Sequence, residues 1–185
     1  MDNKMKLYQD LDHVLLTAEE IKAGVEKLGK QLTEDYAGKN PLFICILRGS
    51  IVFFADLIRS IDLPLQIDTM AVSSYGSGTE TSGMIKMEKD LRESIKDRHV
   101  IIVEDIVDTG RTLSYLKGDL ASRGAASVKL VTLLDKPSRR QIDIEADYAC
   151  FTIPDAFVVG YGLDYDEKYR NLPDIGVLHP RIYNK

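Results

Sequence analysis

Cysteine occurs twice and histidine three times in these 185 residues. Cys45 and Cys150 lie in apolar runs without metal-ligand spacing, the pattern of reduced core thiols in a cytoplasmic protein. His13, His99 and His179 are scattered without partners. Neither a zinc cluster nor a Ser-His-Asp arrangement is in view, so proton transfer falls to carboxylates. No apolar run approaches the roughly 20 residues that a membrane-spanning helix needs, and no secretory leader is read at the start. Positive charge is also short: 24 Lys and Arg against 29 Asp and Glu leave a net charge of −5. Such a balance disfavours nucleic acid and anionic membranes as partners. Internal repeats and low-complexity tracts are absent. A length of 185 residues, 44% of them hydrophobic, suits a single domain with one well-formed core.

What the chain does have is concentrated in residues 100–113, VIIVEDIVDTGRTL. Val100 to Val103 read as a strand buried on both faces, as in a parallel sheet covered by helices. The strand is expected to end where Glu104 and Asp105 begin. From Arg111 onward, Leu113, Leu116 and Leu120 recur at helical spacing. The turn from Thr109 to Thr112 therefore joins the carboxyl end of a strand to the amino end of a helix, where open α/β sheets bind ligands. Unpaired N–H groups at the helix start, the hydroxyls of Thr109 and Thr112, and Gly110 with no Cβ all suit a phosphate. Glu104 and Asp105 are acceptors suited to sugar hydroxyls or a hydrated metal. A phosphate site beside a hydroxyl-accepting site describes a ribose 5-phosphate. The bland alternative is a helix cap with solvated acids. Three carboxylates, Asp108 included, with no basic residue among them argue against it, because packed like charges cost stability unless something binds them.

The remaining segments supply a scaffold. Residues 1–16 are mixed and expected to pack along an edge. Thr17 and Glu20 form a capping box ahead of a stripe of Ile21, Val25, Leu28 and Leu32, and Gly38 is expected to end that helix. Residues 42–47, LFICIL, read as a second central strand, followed by the turn Arg48-Gly49-Ser50 and a helix over 51–61. Residues 65–74 alternate as a strand, and 84–88 read as its returning partner. Between them, 75–83 are glycine-rich and polar, either a hairpin tip or a lid; a dinucleotide fingerprint fails there for want of a third glycine and a helix. Residues 128–134 form a further buried strand, stopped by Asp135, Lys136 and Pro137, with Arg139 and Arg140 beyond; Lys136 taken alone reads as a solvated lysine. Residues 153–172 combine an apolar strand, aromatics and acids. The expected architecture is α/β, a central mostly parallel sheet flanked by helices.

The run from Val103 to Leu113, an acidic pair and then Asp-Thr-Gly-x-Thr, resembles the phosphoribosyl-pyrophosphate motif of the type I phosphoribosyltransferases. Residues 153–172 are similar to the segment that marks the 6-oxopurine branch, the hypoxanthine-guanine phosphoribosyltransferases. The resemblance extends from the Leu47 loop to Arg170. It implies one domain over 1–185, with a small hood formed by the N-terminal segment and residues of about 135–185. The implied reaction is purine salvage: transfer of ribose 5-phosphate from phosphoribosyl pyrophosphate to N9 of hypoxanthine or guanine, giving IMP or GMP and pyrophosphate.

The same resemblance implies roles for individual residues. Glu104, Asp105, Asp108, Thr109, Gly110, Arg111 and Thr112 would hold the ribose 5-phosphate, with Asp108 as general base toward N7. Arg48 and Gly49 would hold pyrophosphate through backbone amides exposed at a cis peptide between Leu47 and Arg48, together with Ser74, Tyr75 and Arg170. Lys136 would donate to O6, Phe157 would stack on the purine, and the Val158 backbone and Asp164 would complete the base site. Glu104, Asp105 and Asp164 would serve Mg2+. The 75–83 segment would be a lid, and the enzyme a cytoplasmic homodimer or homotetramer without nucleic-acid or membrane partners. Arginine at 48, where some relatives carry lysine, departs from the pattern. Two other readings stay open: a donor-binding regulator of nucleic acid, which would need a basic surface, and a pyrimidine- or xanthine-specific transferase, which the hood would distinguish.

Overall fold

Helix α1 (Asn3–Tyr8), strand β1 (Leu11–Leu16) and helix α2 (Ala18–Asp35) open the computed structural model, which describes residues 3–74 and 85–184. Helix α2 begins where its sequence dictates. Thr17 Oγ1 accepts from the Glu20 N–H, and the Glu20 carboxylate accepts from the Thr17 N–H at 2.8 Å, a reciprocal capping box. Ile21, Val25, Leu28 and Leu32 form its buried stripe. The helix ends earlier than Gly38: Tyr36 is its C-cap, and Gly38, at φ +74°, shapes the turn that follows. The chain continues through β2 (Leu42–Leu47), α3 (Ile51–Arg59), β3 (Gln66–Ser74), β4 (Ile85–Lys89), β5 (His99–Val107) and α4 (Arg111–Ser122). It closes with β6 (Ser127–Asp135), a 3-10 turn (Pro137–Arg139), β7 (Tyr148–Thr152), β8 (Val158–Val159), β9 (Ile175–Leu178) and α5 (Pro180–Tyr183).

Among the described residues one sheet has six strands in the order β4-β3-β2-β5-β6-β7. Strands β3, β2, β5, β6 and β7 run parallel, and β4 joins antiparallel. Parallel central strands need cover on both faces, which explains their continuous apolar runs. Phe43, Cys45, Ile101 and Val103 pack with α2 and α3, while Ile44, Ile46, Val100 and Ile102 pack with Leu113, Leu116 and Leu120 of α4. No helix of the described residues is long and apolar enough to cross a membrane.

Strand β5 does not stop at its charges. It runs on through Glu104 and Asp105 to Val107, because β6 keeps pairing with it from Glu104↔Thr132 to Val107↔Asp135. Its pairing with β2 ends earlier, at Cys45↔Val103, while β2 continues alongside β3 as far as Leu47↔Ala71. The carboxyl ends of β2 and β5 thus part, and the crevice between them is the place where α/β sheets hold ligands.

A second, antiparallel sheet has the order β1-β9-β8. Its own small core joins Val159, Tyr169, Leu172 and Leu178 to Leu7, Tyr8 and Leu11. Part of the stretch expected in a hood, Tyr148–Thr152, is instead an edge strand of the large sheet, parallel to β6. The expected lid, residues 75–83, lies outside the described residues.

Candidate functional site

The crevice holds a cavity of about 300 Å3 whose walls include Leu47, Gly49, Glu104, Asp105, Asp108, Thr109, Gly110 and Thr112. On one side lies the start of α4. Its N-cap, Gly110, has φ +83° and brings no side chain to the free N–H groups; a Cβ there would run into Ile144 Cγ2. The Gln141 N–H pins the outer edge of the turn by donating to Thr109 O at 3.0 Å. Arg111 is exposed and absent from the cavity wall, so what it offers a phosphate is its backbone N–H at the helix start, held only by a long 3.5 Å contact to Thr109 Oγ1.

At the floor are the two adjacent acids. Glu104 accepts from the Asp105 N–H at 3.1 Å, and Asp105 accepts from the Ile106 N–H at 2.7 Å. Burial first, and then the neighbouring Asp105 charge, push the Glu104 carboxyl well above the usual range. Burial also raises Asp105, opposed by hydrogen bonds from Glu104 and Ile106 and by the Arg170 charge. The pair therefore resists carrying two charges at once, and a cation or a set of hydroxyl donors would relieve it. Gly49 backs directly onto this pair, since a Cβ at 49 would collide with Asp105 Oδ2. The Leu47–Arg48 peptide is cis, as the sequence resemblance implied.

Asp108 differs from the other two acids. Its Oδ1 is buried and has no hydrogen-bond partner among the described residues, the nearest cation being Arg139 Nε at 3.6 Å. The side chain as a whole is 40% exposed, so this oxygen is an acceptor left open to a donor on a ligand.

Across from the phosphate turn, Lys136 is not the solvated lysine its position suggested. It is 7% exposed and donates to Ala156 O at 2.8 Å, with Asp155 at 3.8 Å. Phe157 is 41% exposed. Tyr183 stacks on it at a 5.0 Å centroid separation, and Tyr165 meets its ring edge-on at 5.6 Å. Strand β8 is the edge of its sheet. Because Phe157 O takes the Leu178 N–H, antiparallel alternation turns the Val158 N–H and C=O outward, away from β9. Asp164 pairs with Arg170 at 2.8 Å and accepts from the Glu167 N–H at 3.0 Å. Arg170 also donates to Gly162 O at 2.8 Å. Exposed Arg48 meets Glu167 at 3.2 Å. Ser74 closes β3 opposite Ile85, and Tyr75 lies outside the described residues.

A metal would find oxygen but no preformed cage. No three His, Cys, Asp or Glu residues converge on one point among the described residues. Glu104 with Asp105, and Asp164 on its own, are separate carboxylate sets. Mg2+ is commonly bound by one or two carboxylates and completes its shell with water and phosphate oxygens, so these residues fit it. The mutual repulsion of Glu104 and Asp105 points the same way.

Four neighbours of the site carry no motif that sequence reading could have used. Arg140 donates to Val107 O at 2.9 Å and Asp108 O at 2.6 Å, and pairs with Asp135. Asp155 faces both Lys136 and Arg139, Tyr183 comes from the last helix, and Glu167 sits between two arginines. Their partners lie up to 119 positions away in the chain, so spacing alone gives no hint. A larger hollow of about 580 Å3 between α2, α3 and residues 161–173 shares Arg170 with the site but none of its carboxylates.

Comparison with known proteins shows the family. Residues 14–166 match the phosphoribosyl transferase domain. The chain is 54% identical to a hypoxanthine-guanine phosphoribosyltransferase of Streptococcus thermophilus over 179 residues, covering 97% of this chain and 99% of that one. A Streptococcus pneumoniae protein of the same name is 56% identical over 178 residues, covering 96% and 99%. A crystal structure of a hypoxanthine phosphoribosyltransferase from Staphylococcus aureus superposes with a TM-score of 0.95 at 51% identity, covering all of both chains.

Proposed function

The chain belongs to the phosphoribosyl transferase family, and from that premise we propose that it moves the 5-phosphoribosyl group of phosphoribosyl pyrophosphate to N9 of hypoxanthine or guanine. This is a purine-salvage reaction of a pentosyl transferase, with IMP or GMP and pyrophosphate as products. One observation carries the choice of base: a buried lysine, Lys136, that donates to the carbonyl of Ala156, the residue before partly open Phe157.

In this reading the donor's 5-phosphate sits on the N–H groups and hydroxyls of the Thr109–Thr112 turn, and its ribose hydroxyls donate to Glu104 and Asp105. As the bond from C1′ to pyrophosphate breaks, the sugar becomes oxocarbenium-like. Negative charge gathers on the leaving group, where Arg48, the Gly49 amide and Arg170 meet it. Ser74, the last residue of β3, belongs to that subsite in this reading. The purine stacks on Phe157, Lys136 donates to O6, and the outward Val158 backbone groups read the N1–N2 edge. Adenine would set an amino donor against Lys136 and leave it unpaired. Asp108, with its unpartnered oxygen, takes the proton on the N7 side. Asp164, or Glu104 with Asp105, would hold magnesium, which when bound would neutralise part of the charge on the pyrophosphate.

The three-stranded sheet β1-β9-β8, with the loop around Asp164, serves as the hood of a single domain. An acidic chain with two free cysteines suits work in the cytoplasm, and the family resemblance implies a homodimer or homotetramer. The test is pyrophosphate release with hypoxanthine, guanine, xanthine, adenine and uracil offered in turn. Release with the first two and none with adenine or uracil is expected. Turnover confined to uracil or to xanthine would sink the assignment.

A further inference from the structure

Arg48 and Arg170, the cations that the proposed reading gives to pyrophosphate, are already bridged within the chain. Glu167 Oε1 lies 3.2 Å from Arg48 Nη1, and its Oε2 lies 3.3 Å from Arg170 Nη2. One carboxylate thus spends a different oxygen on each guanidinium, as two oxygens of a phosphate would.

The backbone aims it there. Tyr165 and Lys168 close a tight antiparallel turn by exchanging N–H···O bonds of 3.3 and 3.1 Å. The two residues at its tip, Asp166 and Glu167, have φ of +53° and +58°. A two-residue hairpin with both φ positive is ordinarily filled by asparagine, aspartate and glycine. A glutamate there is uncommon, and its carboxylate answers to something other than the turn. The Glu167 N–H is held in turn by Asp164 Oδ2 at 3.0 Å.

The bond is also weak enough to give way. The side chains of Arg48 and Glu167 are 73% and 66% exposed, so water screens the pair. Arg170 Nη2 also lies 2.8 Å from Asp164 Oδ1, so Glu167 is the longer and more exposed of its two carboxylate contacts, and pyrophosphate, with several charges, outcompetes it.

We propose that Glu167 is an internal stand-in for pyrophosphate. It holds Arg48 and Arg170 at bridging distance before the donor arrives, yields them to phosphate oxygens, and retakes them as pyrophosphate departs. Glu167 is a positioning residue that acts through the two arginines, and its role rests on the reading that these arginines bind the leaving group.

The sign of one effect separates this role from simple bracing. A brace, once removed, loosens the arginines and weakens pyrophosphate binding; removal of a competitor strengthens it. Glu167→Gln keeps the size and loses the charge. Its dissociation constant for inorganic pyrophosphate in magnesium buffer, measured by calorimetry and by product inhibition, should fall about three- to tenfold, the weight of two exposed ion pairs. Glu167→Asp, which keeps the charge on a shorter arm, should fall between that variant and the parent. Arg170→Ala is the control for the underlying reading and should weaken pyrophosphate binding. Weakening by Arg170→Ala together with unchanged or poorer binding by Glu167→Gln overturns the stand-in role alone. No effect of Arg170→Ala overturns the pyrophosphate subsite itself, and the stand-in with it.

Discussion

Gly49 and Asp105 stand so close that no side chain fits between them: a methyl group at 49 would occupy the place of Asp105 Oδ2. The turn after β2 is thereby pressed onto the acidic floor from β5, and the Gly49 carbonyl oxygen leaves no room for a Cβ at Gly162 on its other side. Gly49→Ala should therefore push the turn off Asp105. Overpacking of this kind costs typically about 1–3 kcal/mol. A fall in melting temperature together with a rise in KM for phosphoribosyl pyrophosphate is expected, with a smaller change in KM for hypoxanthine. A variant whose stability and donor KM both match the parent would show that the contact relaxes freely.

Lys136 sits in the interior beside Ala156 O and Asp155. Lys136→Met keeps most of its volume while removing the donor to O6. The KM for hypoxanthine should rise at least about tenfold, the weight of a lost charge-assisted hydrogen bond, with donor affinity nearly intact. Equal losses for base and donor, accompanied by a lower melting temperature, would assign the lysine to the scaffold.

Much of this arrangement was legible in the chain and some was not. Continuous apolar strands, the Thr17 box and the run from Glu104 to Thr112 each rest on neighbours within a few positions, so pattern suffices for them. The extension of β5 past its acids was not legible, because it depends on β6 continuing to pair where β2 has turned away. Strand β9 and helix α5 are short, and sheet pairing to β1 and stacking on Phe157 stabilise them more than local propensity does. The buried state of Lys136 follows from the fold of residues 153–158 over it, and its immediate neighbours carry no trace of that.

Glu104 gives a pH dependence whose sign can be worked out. Its folded-state value is raised by burial and by Asp105, so the folded chain keeps a proton that the unfolded chain releases. Below the ordinary value near 4.5 both states hold that proton, and the group does not oppose folding. As pH climbs from there toward the raised value, the folded state loses ground steadily. The melting temperature of metal-free protein should show this loss relative to Glu104→Gln, which has no proton to release. The variant should be the more stable of the two near neutral pH, and it should bind phosphoribosyl pyrophosphate with magnesium less well. Parallel pH profiles for the two proteins would remove Glu104 as the cause.

Arg140 fastens the base-side end of the phosphate turn from behind. Its guanidinium donates to Val107 O and Asp108 O and pairs with Asp135, with the side chain 15% exposed. A planar fork spreads over three oxygens in a way that an ammonium cannot copy. Arg140→Lys keeps the charge and loses the fork, so Asp108 should drift from the position that brings its unpartnered oxygen to the purine. Asp108→Asn sets the scale: loss of a general base lowers kcat by roughly 10²–10⁴-fold while donor binding largely survives. Arg140→Lys should lower kcat by less than that, because Asp108 itself remains, with the KM for phosphoribosyl pyrophosphate nearly unchanged. A structural arginine would instead lower the melting temperature and leave kcat of the surviving enzyme in place. The deciding measurements are kcat and KM for the parent and both variants, alongside their melting temperatures. An unchanged kcat in Arg140→Lys would detach this arginine from the proton transfer.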